Sequence, residues 1–266
     1  MRMVFYAGAA LPQSTWDRLS ALARRVRPQR PLWFTTSWGS TETSPTVTSA
    51  HWTLERAGVI GLPVPGMELK FVPNGGKLEM RVRGPSVFPG YRDAPDLTAQ
   101  AFDDEGFYRI GDAGRLLEPG RPEAGVVFDG RVAEDFKLGS GTWVSVGTLR
   151  PKLISALAPW VQDAVITGHD RDEVGALLFL SAEGRALAPE ALRAALADGL
   201  ARMKAEGGGS SQCPVRVLVL DEPPSADGGE ITDKGYLNQR AVLQRRAAWV
   251  QALYATPTDA RVVQPS

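Results

Sequence analysis

Trp38-Gly39-Ser40-Thr41-Glu42-Thr43 sets hydroxyls and one carboxylate in a glycine-containing turn directly behind an apolar, strand-like run at 31–34. A turn of this composition can hold a nucleotide phosphate. Backbone N–H groups and hydroxyls donate to the phosphate oxygens, and the carboxylate takes a magnesium ion that offsets their charge. Serine- and threonine-rich turns are common, so the six residues acquire meaning only from the chain around them.

Upstream, Val4, Phe5 and Tyr6 form the core of a buried strand that Gly8 ends. Ser14 then caps a helix on which Trp16, Leu19, Leu22, Ala23 and Val26 recur at helical spacing. Strand, helix and strand make a βαβ unit, the building block of a parallel sheet. A lone unit leaves its sheet uncovered, so structure that should precede Met1 is expected to be missing. An exposed apolar patch around Val4, Phe5, Leu32 and Phe34 is expected with it, favouring self-association through an open sheet face.

Downstream, 58–129 changes to short alternating runs at 67–72, 76–82, 106–110 and 125–128, broken by turns at Pro73-Asn74-Gly75-Gly76 and Pro89-Gly90. This predicts antiparallel β structure. Beyond it the spacing predicts a helix over 148–157, strands at 161–168, 176–181 and 215–220, an amphipathic helix over 189–204, a glycine-rich loop at 227–235 and a last helix over 238–254. The fold class is therefore α/β: a partial large domain (βαβ unit plus antiparallel β subdomain) at 1–131, a small α+β C-terminal domain at 132–256, and a tail at 257–266.

Composition narrows the function. The chain has 266 residues, and its 30 basic residues balance 30 acidic ones, so no net field draws it to nucleic acid or an anionic membrane. Cys213 is the single cysteine and there are two histidines, which excludes a disulfide framework and a cysteine-rich metal site and points to a cytoplasmic protein. His51 and His169 have no motif neighbours and are read as structural.

Three residues gain interest from their positions. Asp112, in Tyr108-Arg109-Ile110-Gly111-Asp112, follows a strand and a glycine, where a carboxylate can accept from both ribose hydroxyls; read singly, it is a turn-forming aspartate. Arg131, in Phe128-Asp129-Gly130-Arg131, sits at the domain boundary, where it suits either ribose and phosphate or an interdomain salt bridge. Lys234 lies in the flexible run Gly228-Gly229-Glu230-Ile231-Thr232-Asp233-Lys234-Gly235.

In order, these elements resemble the adenylate-forming superfamily of acyl-CoA synthetases, luciferases and nonribosomal-peptide adenylation domains. The family's aromatic-Gly-x-Thr-Glu turn has its counterpart in Trp38 to Thr43. Its Gly-x-Leu-x-x-x-Gly…Gly-Tyr stretch is matched by Gly76-Lys77-Leu78-Glu79-Met80-Arg81-Val82-Arg83-Gly84 to Gly90-Tyr91, and its Tyr-x-Thr-Gly-Asp by Tyr108 to Asp112. Gly130-Arg131 and Asp233-Lys234-Gly235 complete the series. Finer runs resemble feruloyl-CoA synthase: Phe5-Tyr6-Ala7-Gly8-Ala9, then 130–138 into Ser140-Gly141-Thr142-Trp143-Val144, then 230–235 with Asn238-Gln239-Arg240.

The resemblance implies an acid–CoA ligase that works through an acyl-adenylate, with ATP, Mg2+ and coenzyme A, on a ferulate-like aromatic carboxylic acid. It implies that Trp38 stacks on adenine beside Gly39, that Thr41 binds phosphate and Glu42 the magnesium, that Asp112 and Arg131 fix the ribose, and that Lys234 neutralises charge in the adenylation transition state. Tyr6, Gly8 and Ala9 would line the acyl pocket. Gly141 and Trp143 would face the pantetheine arm after the C-terminal domain rotates, although Gly141 to Trp143 fit a β-turn with a core tryptophan equally well. Ala133 stands where the family's hinge holds Asp or Lys, leaving either Glu134 or Asp135 as the hinge or a rotation that is differently controlled. No stretch matches the family's phosphate loop, so the chain is expected to be the C-terminal portion of a longer enzyme. A non-catalytic nucleotide- or partner-binding remnant is the alternative.

Overall fold

The computed structural model describes residues 3–29, 33–207, 209, 211–232 and 235–265. They form two compact units: Met1–Leu11 with Thr15–Ala133, and Pro12–Ser14 with Glu134–Ser266.

The first unit is built on one eight-stranded sheet. β1 (Met3–Ala7) and β2 (Trp33–Trp38) pair in parallel across α1 (Gln13–Val26), with Val4 opposite Phe34 and Tyr6 opposite Thr36. β3 (Thr48–Ser49) and β4 (Val59–Pro63) continue antiparallel, followed in space by β8 (Val126–Arg131), β7 (Tyr108–Leu116), β6 (Lys77–Arg83) and β5 (Glu68–Asn74). α2 (Pro95–Ala101), with proline at its start where no backbone donor is lost, leads back into β7. The βαβ unit is thus the edge of a larger sheet, and its join to the antiparallel strands runs through β3 and β4, which sequence pattern missed. Gly61 permits that join. Its φ is +86°, and a Cβ there would stand 2.1 Å from the Ser49 carbonyl carbon, so only glycine lets β4 approach β3.

Several expectations are corrected. The second strand runs to Trp38, so the tryptophan closes the strand and the turn begins at Gly39. α1 starts at Gln13, which puts Ser14 inside its first turn and not at its cap. Alternation along β1 leaves Phe5 exposed and not in the core. The expected patch is also different: Phe34 is buried against Trp16, Leu32 lies outside the described residues, and the exposed apolar groups here are Met3, Phe5, Trp33, Leu22 and Val26. Strand pleat explains both outcomes, because neighbouring side chains face opposite ways.

The second unit has a hairpin of β9 (Phe136–Lys137) and β10 (Trp143–Val144), then α3 (Val146–Ala156), β11 (Val161–Thr167), β12 (Gly175–Leu180), α4 (Ala182–Ala186), α5 (Pro189–Ala205), β13 (Arg216–Leu220), α6 (Gln239–Arg245) and α7 (Ala247–Leu253). β12 is the central strand, antiparallel to β11 and parallel to β13. One face packs Leu178 and Val217 with α3 and α5; the other packs Leu177 and Leu218 with α6 and α7. The expected single helix over 238–254 is two, divided at Arg246. No helix among the described residues is long and apolar enough to cross a membrane.

Candidate functional site

Asp112 sits within β7, at a register irregularity opposite Arg131 of β8, and is not the post-strand turn its sequence setting predicts. Gly111, at φ +79°, lets the strand deform there. The carboxylate is only 8% exposed; Oδ2 accepts the Trp38 indole N–H at 2.8 Å, and Oδ1 faces Arg131 Nε at 2.9 Å. Arg131 itself keeps 57% of its side chain open to solvent, so its guanidinium joins a fixed carboxylate to an accessible surface. Trp38 is buried in the core with Val47, Met80 and Ile110, its donor committed to Asp112. The Arg131 partner is therefore within its own unit.

The turn after Trp38 is tightly made. Ser40 N donates to Thr43 Oγ1 at 2.9 Å, and Thr43 Oγ1 returns a bond to the Ser40 carbonyl at 3.0 Å, which shapes a single 3-10 turn over Thr41–Thr43. A Cβ on Gly39 would stand 2.0 Å from the Pro45 carbonyl oxygen. Thr41 is exposed and Glu42 half-buried. Glu42 is held from the 84–94 loop: Phe88 N donates to its carbonyl at 2.8 Å and the Tyr91 hydroxyl to its Oε1 at 3.1 Å. Tyr108, four residues before Asp112 on β7, lies against the same group, and its ionisation is pushed up by burial first, then by Tyr91 and the Glu42 charge. Tyr91 and Tyr108 are the residues sequence reading left without a role, although Gly90-Tyr91 was visible as a motif.

Three or more His, Cys, Asp or Glu side chains able to cage a metal occur nowhere among the described residues. Magnesium here would be shared between Glu42 and phosphate oxygens with water, the usual arrangement for this hard, reluctantly dehydrated ion. The exposed Thr41 and half-buried Glu42 on one short turn fit that donor set.

Tyr6 packs edge-on against Trp16 at 5.9 Å, and burial pushes its phenol up to about 12. Gly8 and Ala9 follow at the exposed end of β1.

In the second unit, Gly141 (φ +82°) forms the bend between β9 and β10, closed by Leu138 N to Thr142 O at 2.9 Å and Gly141 N to Leu138 O at 2.8 Å. Nothing lies within 4 Å of where a Gly141 Cβ would be. Trp143 is 39% exposed, with Lys137 Nζ 5.0 Å from its ring centre, which removes the core-tryptophan reading and leaves a ribbon with an open aromatic face. Asp135 Oδ1 accepts Val146 N at 2.9 Å, tying it to the start of α3.

Lys234 lies outside the described residues. The chain on either side is ordered by Thr232 N to Tyr236 O at 2.7 Å and Gly235 N to Thr232 O at 2.8 Å. Below them Glu230 is buried and bidentate with Arg246, at 2.8 and 2.9 Å. Arg246 also donates to Pro223 O at 2.9 Å.

Residues 1–92 match the model of the AMP-binding enzyme family, and residues 148–258 that of the AMP-binding enzyme C-terminal domain. The chain belongs to the AMP-binding, adenylate-forming enzymes. Among curated members of the family it is similar to probable acyl-activating enzyme 16, chloroplastic, of Arabidopsis thaliana, at 27% identity over 82% of this chain and 34% of that one. It is similar also to the medium-chain fatty-acid–CoA ligase of Escherichia coli (strain K12), at 28% identity over 92% of this chain and 41% of that one. The adenylation domain of a carboxylate reductase from Mycobacterium chelonae superposes with a TM-score of 0.74 at 25% identity, covering 94% of this chain and 38% of that one. The chain thus spans a third to two fifths of the length of these three relatives.

Proposed function

We propose that this chain carries the ribose-gripping strands and the C-terminal domain of an ATP-dependent acid–CoA ligase that acts on ferulate-like aromatic acids. One observation supports it above the others: Asp112, oriented by Trp38 and set beside the open guanidinium of Arg131. A fixed carboxylate beside an accessible guanidinium suits a ribose diol next to a phosphate.

In the first step a carboxylate oxygen of the acid attacks the α-phosphorus of ATP, the bond to the bridging oxygen breaks, and pyrophosphate leaves. In the second, the coenzyme A sulfur attacks the acyl carbon and AMP leaves with the bonding pair. Asp112 and Arg131 hold the ribose; Trp38, buried and with its donor engaged, positions Asp112 in place of stacking on adenine. Thr41 donates to phosphate and Glu42 holds magnesium, which when bound offsets charge on the phosphate oxygens. Lys234 supplies positive charge where negative charge develops in the first transition state. The acid meets the strand end at Gly8 and Ala9, backed by Tyr6. Gly141 and the open face of Trp143 receive the pantetheine arm. The tie of Asp135 to α3 favours Ala133 and Glu134 as the hinge in this reading.

Calorimetry with AMP and pyrophosphate release with ATP plus ferulate, or plus a medium-chain fatty acid, test this reading. Release with ferulate supports the whole of it, and preference for the fatty acid replaces the substrate class. AMP binding without release identifies a nucleotide-binding remnant, and absence of both refutes the proposal.

A further inference from the structure

Glu42 is the sole carboxylate of the 39–44 turn, and a carboxylate that shares a magnesium ion with phosphate must hold one orientation to be effective. Within its own turn the Ser40–Thr43 bonds fix the backbone. Residues 84–98 reach both its carbonyl and its side chain.

Tyr91 reaches Glu42 Oε1 with its hydroxyl at 3.1 Å, and it is itself braced at several points. Its backbone N–H donates to Thr98 Oγ1 at 2.9 Å, and its ring meets Phe88 edge-on at 4.7 Å. Phe88 is locked in turn by Phe102 at 5.7 Å and Tyr108 at 5.3 Å, and its N–H donates to the Glu42 carbonyl. Gly90 (φ +152°) lets the chain pass against Thr98, where a Cβ would stand 2.6 Å from the threonine methyl. Main chain and side chain of Glu42 are thus both held by one aromatic cluster.

We propose that Tyr91 is a positioning residue for the metal-binding carboxylate: its hydroxyl fixes one Glu42 oxygen and so presents the carboxylate to magnesium and the nucleotide phosphates. This rests on the reading of Glu42 as a magnesium ligand. It separates Tyr91 from a packing role, because the ring alone would serve packing while the hydroxyl serves Glu42.

Tyr91→Phe keeps the ring and removes the hydroxyl. The test measures ATP binding by calorimetry across a magnesium series, and Mn2+ binding in the presence of ATP by the loss of the free-ion paramagnetic signal. Tyr91→Phe is expected to raise the metal concentration required about tenfold, the scale of outer partners of metal ligands, while AMP affinity without metal stays within about twofold. Thr98→Val, which loosens the brace, should shift metal dependence the same way by less. Equal metal dependence in Tyr91→Phe and the unaltered chain, with Glu42→Gln abolishing it, overturns the positioning role and leaves the magnesium reading standing. If Glu42→Gln also changes nothing, the reading of Glu42 fails and the inference falls with it.

Discussion

Trp38 and Asp112, 74 residues apart in the chain, are joined by a 2.8 Å hydrogen bond from the indole N–H to a carboxylate oxygen. A charged acceptor bonded in a buried setting is stabilised by about 1.5–3 kcal/mol, and leaving it short of a donor costs a comparable amount. Trp38→Phe, which keeps most of the apolar volume and deletes the donor, should therefore destabilise the first unit by about 1–3 kcal/mol in urea unfolding.

Asp112→Asn tests the same pair from the other side. The amide loses the charge that faces Arg131 and accepts with one oxygen only, so AMP affinity should fall about ten- to a hundredfold by calorimetry. An unchanged affinity would remove Asp112 from the nucleotide site and confine it to holding Trp38 and Arg131.

Much of this arrangement was legible in the sequence and some of it was not, for physical reasons. Alternation and turn residues marked β5 to β8, most clearly β6, where Met80 and Val82 are buried and Arg81 between them is not, and helical spacing marked α1 and α5. β4 escaped because Val59-Ile60-Gly61-Leu62-Pro63 carries two strand breakers, tolerated where Gly61 meets the β3 backbone. Asp112 was recognised as a residue but misplaced as structure, since glycine before aspartate normally signals a turn while here it marks a strand irregularity. The Trp38–Asp112 and Tyr91–Glu42 bonds are long-range and leave no local trace. The break at Arg246 was hidden too: it falls at the residue whose guanidinium reaches Glu230, sixteen residues upstream, a contact with no local signature.

Gly141 combines positive φ with open space. Gly141→Ala should cost only about 1–2 kcal/mol of stability, the strain of a Cβ in that region. If the β9–β10 bend meets the pantetheine arm, the added methyl should weaken coenzyme A binding in calorimetry while leaving AMP affinity unchanged.

The Glu230–Arg246 pair gives the second unit an acid sensitivity whose direction can be worked out. The Arg246 guanidinium holds the Glu230 carboxyl below its ordinary value of 4.5, against the opposing effect of burial and with help from Ser225 N–H at 2.7 Å. A carboxyl whose folded value is depressed stabilises fully above its unfolded value and loses that contribution as pH falls through the folded one. Unfolding of the second unit should therefore become easier below about pH 4.5, while Glu230→Gln flattens this dependence. Arg246→Ala should be the severest change, about 3–5 kcal/mol, because it takes the bidentate partner from a buried carboxylate and leaves it only the more distant, half-exposed Arg245 at 3.8 Å. Circular dichroism melts at neutral and acid pH read both. Should Glu230→Gln retain the full acid dependence, carboxylates elsewhere in the unit, and not this pair, would set it.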